Sequence, residues 1–323
     1  MKSKQSQTNP FVNSDSNKRY YTYDYYLRKT FGSKCAKLPV DGGFTCPNID
    51  GRCGRGGCIY CSPRGSGDFA GPPELSVTEQ LECAKSRLTS KWDVDKYIAY
   101  FQAHTNTYAP LEVLKSKYSE ALEFPGVVGL NIATRADCLE DDVVEYLAEL
   151  AEKTVLTVEL GLQTSNDGVA ELINRGHTYE QFVDGYKRLR RASDKINICV
   201  HMIFGLPGEG ETEMMNTVRD VASLRPDQVK IHLLHVLRNT KMAQMYSSGE
   251  YVPLEREKYI DIVVKALELL PPDTVVARLT GDGAGEDLLA PEWSRRKTTV
   301  INDIDKALYA NSSMQGRLYG KEK

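Results

Sequence analysis

The stretch GFTCPNIDGRCGRGGCIYC, residues 43–61, contains four of the eight cysteines of this 323-residue chain and five glycines. Cys58 and Cys61 are separated by two residues, a spacing that lets two thiolates bind one metal centre. The glycines allow the backbone to turn tightly around such a centre. So dense a group of cysteines predicts a metal or cluster site, and the kind of site decides the fold and function.

The residues alone leave three interpretations of this cysteine loop open. Four thiolates could bind a structural zinc ion, three could hold a [4Fe–4S] cluster with one iron left open, or the thiols could simply be buried. Zinc ribbons usually pair two C-x-x-C motifs, and this segment contains one. The loop also leaves the first predicted strand and precedes a series of βα units, which favours a reactive cofactor.

Composition indicates a soluble globular protein, because hydrophobic residues make up 41% of the chain and charged residues 26%. The sequence has no run of 18 apolar residues, and its polar start lacks the apolar core of a signal peptide. We therefore expect a cytoplasmic protein. Thiols stay reduced in that compartment, so the cysteines point to metal binding or burial rather than disulfides.

The formal net charge is −3, which does not favour strong non-specific binding to nucleic acid. Two basic clusters, 187–191 and 295–297, fit solvated surfaces. We expect no DNA and no membrane as a partner.

Strand-like and helix-like segments alternate after the cysteine loop, which is typical of βαβ units and a parallel sheet. Six such units suit a partial TIM-like (β/α)6 barrel, whose active site lies at the carboxyl ends of the strands. The predicted strands are 38–45, 97–102, 127–132, 156–160, 196–204 and 228–234. The predicted helices are 111–124, 141–153, 179–192, 211–224 and 254–270.

The organisation we predict has three parts. Residues 1–18 form a disordered lead, residues 19–237 form the core domain with its cluster loop at 43–62, and residues 238–323 form a C-terminal α/β extension. The extension contains a helix and a strand at 275–280, and it covers part of the barrel.

Cys58-Ile-Tyr60-Cys61 resembles the end of the cluster motif of radical S-adenosylmethionine (radical SAM) enzymes, in which an aromatic residue precedes the last cysteine. Most of that superfamily leaves three residues between its first two cysteines. This chain is instead similar to the YhcC/YtqA-type bacterial family, with Gly-Phe-x-Cys-Pro-Asn, glycine-rich residues and Gly-Gly-Cys-x-x-Cys. The resemblance implies Cys46, Cys58 and Cys61 as cluster ligands and leaves Cys53 without that role.

Residues 158–163 and 174–178 are similar to segments of the catalytic subunit of Elongator, a radical SAM protein acting on the wobble uridine of transfer RNA. The resemblance implies a [4Fe–4S] cluster that cleaves S-adenosylmethionine (SAM) to a 5′-deoxyadenosyl radical. It also implies an electron donor of flavodoxin or ferredoxin type and makes transfer RNA a candidate substrate. A radical SAM enzyme for a small molecule or peptide, and a zinc-stabilised binding protein without catalysis, are the alternatives.

The resemblance also implies where SAM binds. We expect Arg175 to bind the SAM carboxylate, with His177 orienting it or reaching the substrate. Glu159 and Gln163 suit the ribose hydroxyls. The other contacts implied for SAM are with Tyr60, Gln102, Asn106 and Gly205.

Overall fold

The computed structural model describes residues 9–65, 69–89, 93–281 and 285–321. The strands are β1 (Cys35–Val40), β2 (Lys96–Phe101), β3 (Val127–Thr134), β4 (Val155–Gln163), β5 (Asn197–Phe204), β6 (Gln228–Leu233), β7 (Val236–Leu237), β8 (Val275–Arg278) and β9 (Leu288–Ala290). The α-helices are α1 (Tyr23–Phe31), α2 (Pro47–Asp50), α3 (Val77–Thr89), α4 (Leu111–Glu123), α5 (Asp141–Ala151), α6 (Asp167–Leu172), α7 (Tyr179–Ala192), α8 (Glu211–Leu224), α9 (Lys241–Ser248), α10 (Arg256–Leu269) and α11 (Lys297–Ala310). Two short 3-10 helices span Gly285–Asp287 and Glu292–Arg295.

Seven strands form one curled sheet in the order β1-β2-β3-β4-β5-β6-β8, and every neighbouring pair is parallel. The predicted α/β class and partial barrel are confirmed. The strand predicted at 275–280 is the seventh member of this sheet, where Val276 pairs with Val229 of β6. The carboxyl ends of all seven strands therefore lie at one edge, the edge from which the cysteine loop leaves.

The N-terminal segment lies across the gap between the two outer strands, β1 and β8. Val276 N donates to Tyr21 O at 2.8 Å, and Thr22 forms a parallel bridge to Val276. The following helix, α1, contacts both β1 and β8. The partial barrel is thus bounded on its open side by α1.

The two faces of the sheet differ in chemistry. The outer face packs an apolar layer against the helices, with Leu38, Leu130, Leu156, Ile198 and Ile231 all 0% exposed. Burial of this layer supplies most of the favourable free energy of folding. The alternate residues point into the barrel, and many of them are polar.

Helix α7 shows why the local sequence folds as it does. Thr178 caps the helix by accepting from Gln181 N, and the Gln181 side chain accepts from Thr178 N at 2.8 Å. This capping box satisfies two backbone donors at the start of the helix. Phe182, Tyr186 and Leu189 recur at helical spacing and are buried. The observed bounds are those predicted.

The first strand is five residues shorter at its end than predicted, running over Cys35–Val40 rather than 38–45. The reason lies in Asp41, whose backbone N and O are both bonded by the Gln80 side chain, at 2.8 and 2.9 Å. This amide replaces the ladder partner that β2 would supply. The chain therefore leaves the sheet at Asp41 and enters the cysteine loop.

Part of the predicted disordered lead, residues 1–8, lies outside the described residues. Residues 9–18 form neither helix nor strand. Phe11 is nevertheless buried, and Asn9 Nδ2 donates to Ser16 O at 2.8 Å and Lys18 O at 2.7 Å. No helix in the described part of the chain is long and apolar enough to cross a membrane.

The contact between α7 and the loop after β3 leads to a stability prediction. A Cβ on Gly185 would lie 2.2 Å from Ala136 O, so Gly185→Ala forces the helix away from that loop. We expect the free energy of unfolding to fall by about 1–3 kcal/mol, although alanine alone would favour the helix. Chemical denaturation measures this change, with exposed Lys187→Ala as the control. An unchanged or raised stability of Gly185→Ala would contradict the close packing.

Candidate active site

The cysteine loop folds back on itself around α2. Cys46 immediately precedes Pro47, the first residue of that helix. Gly57 N donates to Asn48 O at 2.9 Å, and Gly57 has a φ of 72°, a backbone conformation that glycine adopts without steric cost. The return of the chain at Gly57 places Cys58 next to the start of α2.

The three cysteines implied as ligands line one cavity of about 240 Å³ at the carboxyl edge of the sheet. Cys58 and Cys61 are hydrogen-bonded to each other through their thiols. Cys46 Sγ lies 3.1 Å from Thr105 Oγ1, in the loop after β2. Cys46 also interacts electrostatically with both other thiols. Cys46 thus lines the same cavity as Cys58 and Cys61, which follow it by 12 and 15 residues in the sequence.

Polar groups around Cys58 favour its thiolate. The Cys61 thiol donates to it, Arg175 lies near it and Asn48 Nδ2 donates to Cys58 Sγ at 3.3 Å, so the pKa of Cys58 is well below the ordinary value. The same thiol–thiol bond and burial hold the pKa of Cys61 well above the ordinary value. The thiol–thiol hydrogen bond therefore favours a thiolate within this pair, and the thiolate is the form of cysteine that binds metals.

Cys53 occupies a different position. Its residue is exposed, it does not line the cavity, and Arg135 Nη2 donates to Cys53 Sγ at 3.5 Å. Arg135 is itself paired with Asp137 at 2.8 Å. Cys53 therefore lies outside the group formed by the other three cysteines, and its role as a spectator or an alternate ligand stays a prediction.

The three thiols that line the cavity suit the thiolate ligands of an iron–sulfur cluster, which the resemblance implies. Within the described residues, no group of three or more His, Cys, Asp and Glu side chains forms a site for a single metal ion. Arg175 Nε is also buried without a hydrogen-bond partner beside Cys58, which is an open donor at the cavity wall.

Arg175 reaches the cavity from the loop after α6. Its Nη2 donates to Gly161 O, and its Nη1 lies 3.9 Å from Cys58 Sγ. The residue is 6% exposed, so its charge acts in a weakly screened environment. These contacts put a forked cation beside Cys58, and its pairing with the SAM carboxylate stays a prediction.

His177 lies behind Arg175 and does not line the cavity. Burial, with the nearby charge of Arg175, lowers the pKa of His177 to about 3, so the ring is neutral. Its Nδ1 lies 3.1 Å from Thr178 O. The orienting role expected for His177 is compatible with this position, whereas direct contact with a ligand in the cavity would require movement.

Three further residues expected to bind SAM line the same cavity, namely Tyr60, Gln102 and Gln163. The Tyr60 hydroxyl is hydrogen-bonded to Cys58. Gln163 has a φ of 79° and follows a register shift in β4, which turns its side chain toward Arg175 and Gly161.

Asn106 and Gly205 are not brought into the cavity. Asn106 is 0% exposed, and its Nδ2 donates to three backbone carbonyls, at 2.7 Å for Ala133 O, so it holds the loop after β2 on β3. Gly205 O accepts from the Tyr251 hydroxyl at 2.7 Å. Both positions support the walls of the site, and their contact with SAM stays a prediction.

Glu159 lies deeper in the barrel and is fully buried. Its carboxylate accepts from Lys37 Nζ at 3.1 Å, His201 Nε2 at 2.9 Å, Asn131 Nδ2 at 2.7 Å and Lys230 Nζ. A ribose hydroxyl at this point, as the resemblance implies, would have to share the carboxylate with four protein donors.

The charged groups around Glu159 shift one another's pKa values. Although burial acts in the opposite direction, Lys230 and Lys37 hold the pKa of Glu159 well below the ordinary value. The pKa of Lys37 is raised by Glu159, while burial lowers the pKa of Lys230 to about 8. Burial and Lys230 lower the pKa of His201 to about 4. At neutral pH the carboxylate and Lys37 are charged and His201 is neutral.

The sequence analysis did not identify Lys37, Lys230, His232 or Arg278 as site residues. The last three line the cavity, and Lys37 contacts Glu159 from β1. One signal was available in β6, where Gln228, Lys230 and His232 alternate with apolar residues. In a parallel strand covered on both faces, such alternation indicates a polar barrel interior.

Known proteins are similar to this chain in sequence and in fold. The family model described as the Radical SAM superfamily matches residues 48–221, and the Radical_SAM C-terminal domain matches residues 226–310. YtqA of Bacillus subtilis is 48% identical over 313 residues, covering 97% of each chain. The tRNA uridine(34) acetyltransferase of Methanocaldococcus jannaschii is 31% identical over 159 residues, covering 48% of this chain and 28% of that protein.

Among solved structures, Elp3 of the archaeon Methanocaldococcus infernus superposes with a TM-score of 0.64 at 18% identity, covering 89% of this chain and 67% of that one. This likeness concerns the fold. Because the superfamily model matches more than half of the residues and the match to YtqA extends over nearly the whole chain, this protein belongs to the radical SAM superfamily, in its YhcC/YtqA-type branch.

Proposed function

We propose that this radical SAM enzyme modifies the wobble uridine of transfer RNA, using a [4Fe–4S] cluster held by Cys46, Cys58 and Cys61. The observation that carries the proposal is the convergence of these three thiols and Arg175 on one cavity that continues into the barrel. The family assignment removes the alternative of a zinc-stabilised protein without catalysis.

Different residues of the cavity bind the cluster and SAM in this proposal. The three thiolates would hold the cluster, and Arg175 would pair with the SAM carboxylate. Gln102 and Gln163 supply amides in the same cavity. A cluster held here would pass one electron to SAM, giving methionine and a 5′-deoxyadenosyl radical able to abstract hydrogen from the substrate. The buried walls would exclude water from that species.

The choice of transfer RNA rests on the partial match to the tRNA uridine(34) acetyltransferase, whose printed name gives its substrate. The cavity mouth supports it. Ile49 and Phe69 line the cavity and are 43% and 49% exposed, so Phe69 is available to stack on a base. The same loop carries the exposed residues Arg52, Arg55 and Arg64, which suit a phosphate backbone.

The proposed reaction also needs a reductant and a compartment. We propose a one-electron donor of flavodoxin or ferredoxin type. We place the enzyme in the cytoplasm because all eight cysteines are unpaired, and a reducing compartment keeps thiols in that state.

The ligand assignment predicts different effects of cysteine substitutions. Cys46→Ala, Cys58→Ala and Cys61→Ala each remove one of three thiolates, so we expect loss of bound iron and of 5′-deoxyadenosine formation. The measurements are iron content, visible absorbance and product analysis after anaerobic reconstitution. Cys53→Ala and the exposed Cys83→Ala are matched controls and should retain both properties. If Cys53→Ala lost the cluster while Cys46→Ala kept it, the ligand set would be wrong.

Arg175 gives a second prediction, because a lost charge-assisted hydrogen bond costs about 1.5–3 kcal/mol. We expect Arg175→Gln to weaken SAM binding about 10- to 100-fold, measured by equilibrium binding to the reconstituted protein. Iron content checks that the cluster remains next to the substituted side chain. Arg225→Gln, at an exposed ion pair with Asp273, is the control. Equal SAM affinity in both variants would exclude Arg175 as the carboxylate partner.

The substrate is tested by nucleoside profiling of transfer RNA from a strain in which the gene is deleted. We expect one modified nucleoside at the wobble uridine to disappear and its precursor to accumulate. Wild-type protein restores the modified nucleoside, whereas Cys58→Ala does not. An unchanged set of nucleosides would reject the RNA substrate and leave a radical SAM enzyme for a small molecule or peptide.

A further inference from the structure

Basic and imidazole side chains form a row inside the barrel. Lys230 pairs in register with His201 of β5 on one side and with Arg278 of β8 on the other. All three residues line the cavity, on the strands opposite the cysteine loop. His232, two residues along β6, also lines the cavity, with its ring centroid 5.3 Å from that of His201.

Within the described residues, Lys230 has one carboxylate for a partner and shares it with a second lysine. Among the described residues that line the cavity, Glu159 is the one carboxylate, and it already serves both Lys37 and Lys230. The remaining groups that face Lys230 are neutral or basic. They are Tyr100 of β2, Cys199 and His201 of β5, His232 of β6 and Arg278 of β8, while Tyr23 of α1 and Asn131 of β3 interact with Glu159 on its other side.

Burial and the neighbouring positive charges lower the pKa of Lys230. Its residue is 3% exposed, its Nζ donates to the Tyr100 hydroxyl at 3.0 Å, and burial together with Lys37 and Arg278 lowers its pKa to about 8. Two cations on one buried carboxylate are costly in a medium of low dielectric. A second anion in the cavity would offset that cost.

His232 provides an unused polar atom at the same place. Its Nε2 is buried and has no hydrogen-bond partner, and burial with the charge of Arg278 holds its pKa well below the ordinary value. Buried polar atoms are normally bonded to protein, water or a ligand. In the tautomer that carries hydrogen on Nε2, this ring donates a hydrogen bond into the cavity.

We propose that the barrel interior binds the carboxylate or phosphate group of a small second substrate through Lys230, Arg278 and His232. Anion binding is argued from these side chains alone, whereas the role of the anion as a substrate rests on the proposed function. The cavity connects this anion site with the cysteines, so a small anionic molecule bound here lies in the same enclosed space as the proposed SAM site.

Isothermal titration calorimetry on the reconstituted full-length protein tests the proposal, with acetate and inorganic phosphate as probes and chloride as the reference anion. We expect saturable binding of at least one probe, weakened at least about tenfold by Lys230→Gln. Lys195→Gln, at an exposed surface ion pair, should bind like wild type. Tighter binding of acetate identifies an organic acid as the ligand class, and tighter binding of phosphate identifies a phosphate ester.

The pH dependence provides a readout that a merely structural role would not change. Lys230 loses its proton as the pH rises through about 8, so the affinity for acetate, whose own charge is constant over this range, should fall between pH 7 and pH 9 in wild type. Lys230→Arg stays charged and should keep its affinity over that range. Arg278→Gln tests the same site if Lys230→Gln fails to fold, and it should also weaken binding.

Two results would overturn the anion site. One is wild-type protein that cleaves SAM yet binds neither probe more tightly than chloride. The other is equal probe affinity in Lys195→Gln and in folded Lys230→Gln and Arg278→Gln. SAM cleavage is measured on the same preparation, so loss of the radical SAM activity is distinguished from loss of the anion site.

Discussion

One buried carboxylate connects most strands of the barrel by hydrogen bonds. Glu159 on β4 is hydrogen-bonded from β1, β3, β5 and β6, through Lys37, Asn131, His201 and Lys230. A charge buried this deeply is stable only with such partners, because desolvation otherwise neutralises it. The contact therefore constrains five of the seven strands to curl around a common centre.

This polar centre explains how a barrel of this size retains a cavity. In a closed TIM barrel, layers of branched apolar side chains fill the interior. Here the apolar layer lies between the outer face of the sheet and the helices, and the inward positions carry Lys, Glu, His and Tyr. The sheet is thus stabilised from outside, and its interior is available for ligands at the carboxyl edge.

The sequence predicted the elements whose signals are local. Helix α7 was found at its observed bounds because its capping box and its apolar spacing are both contained in one segment. The cysteine ligand set is likewise predicted from spacing and resemblance within one loop, and the structure brings its three members to one cavity. The end of β1 was placed wrongly because the deciding contact, from Gln80 to Asp41, is 39 residues away along the chain. The seventh strand likewise depends on pairing with β6, which its own residues do not encode.

The same distinction separates the two ends of the cavity. Cys46, Cys58 and Cys61 are close in sequence, so a common role as cluster ligands can be predicted from one segment. Lys37 and Lys230 are far apart in sequence and share Glu159 only because parallel pairing brings β1, β4 and β6 around one centre. The alternation in β6 indicates that Lys230 faces the barrel interior, but no local pattern identifies the carboxylate that it shares with Lys37. A buried ionic group contributes little net stability compared with apolar packing of equal volume. The Glu159 network thus fixes how these strands are arranged more than it adds to stability, and it lines the cavity in which we propose an anion site.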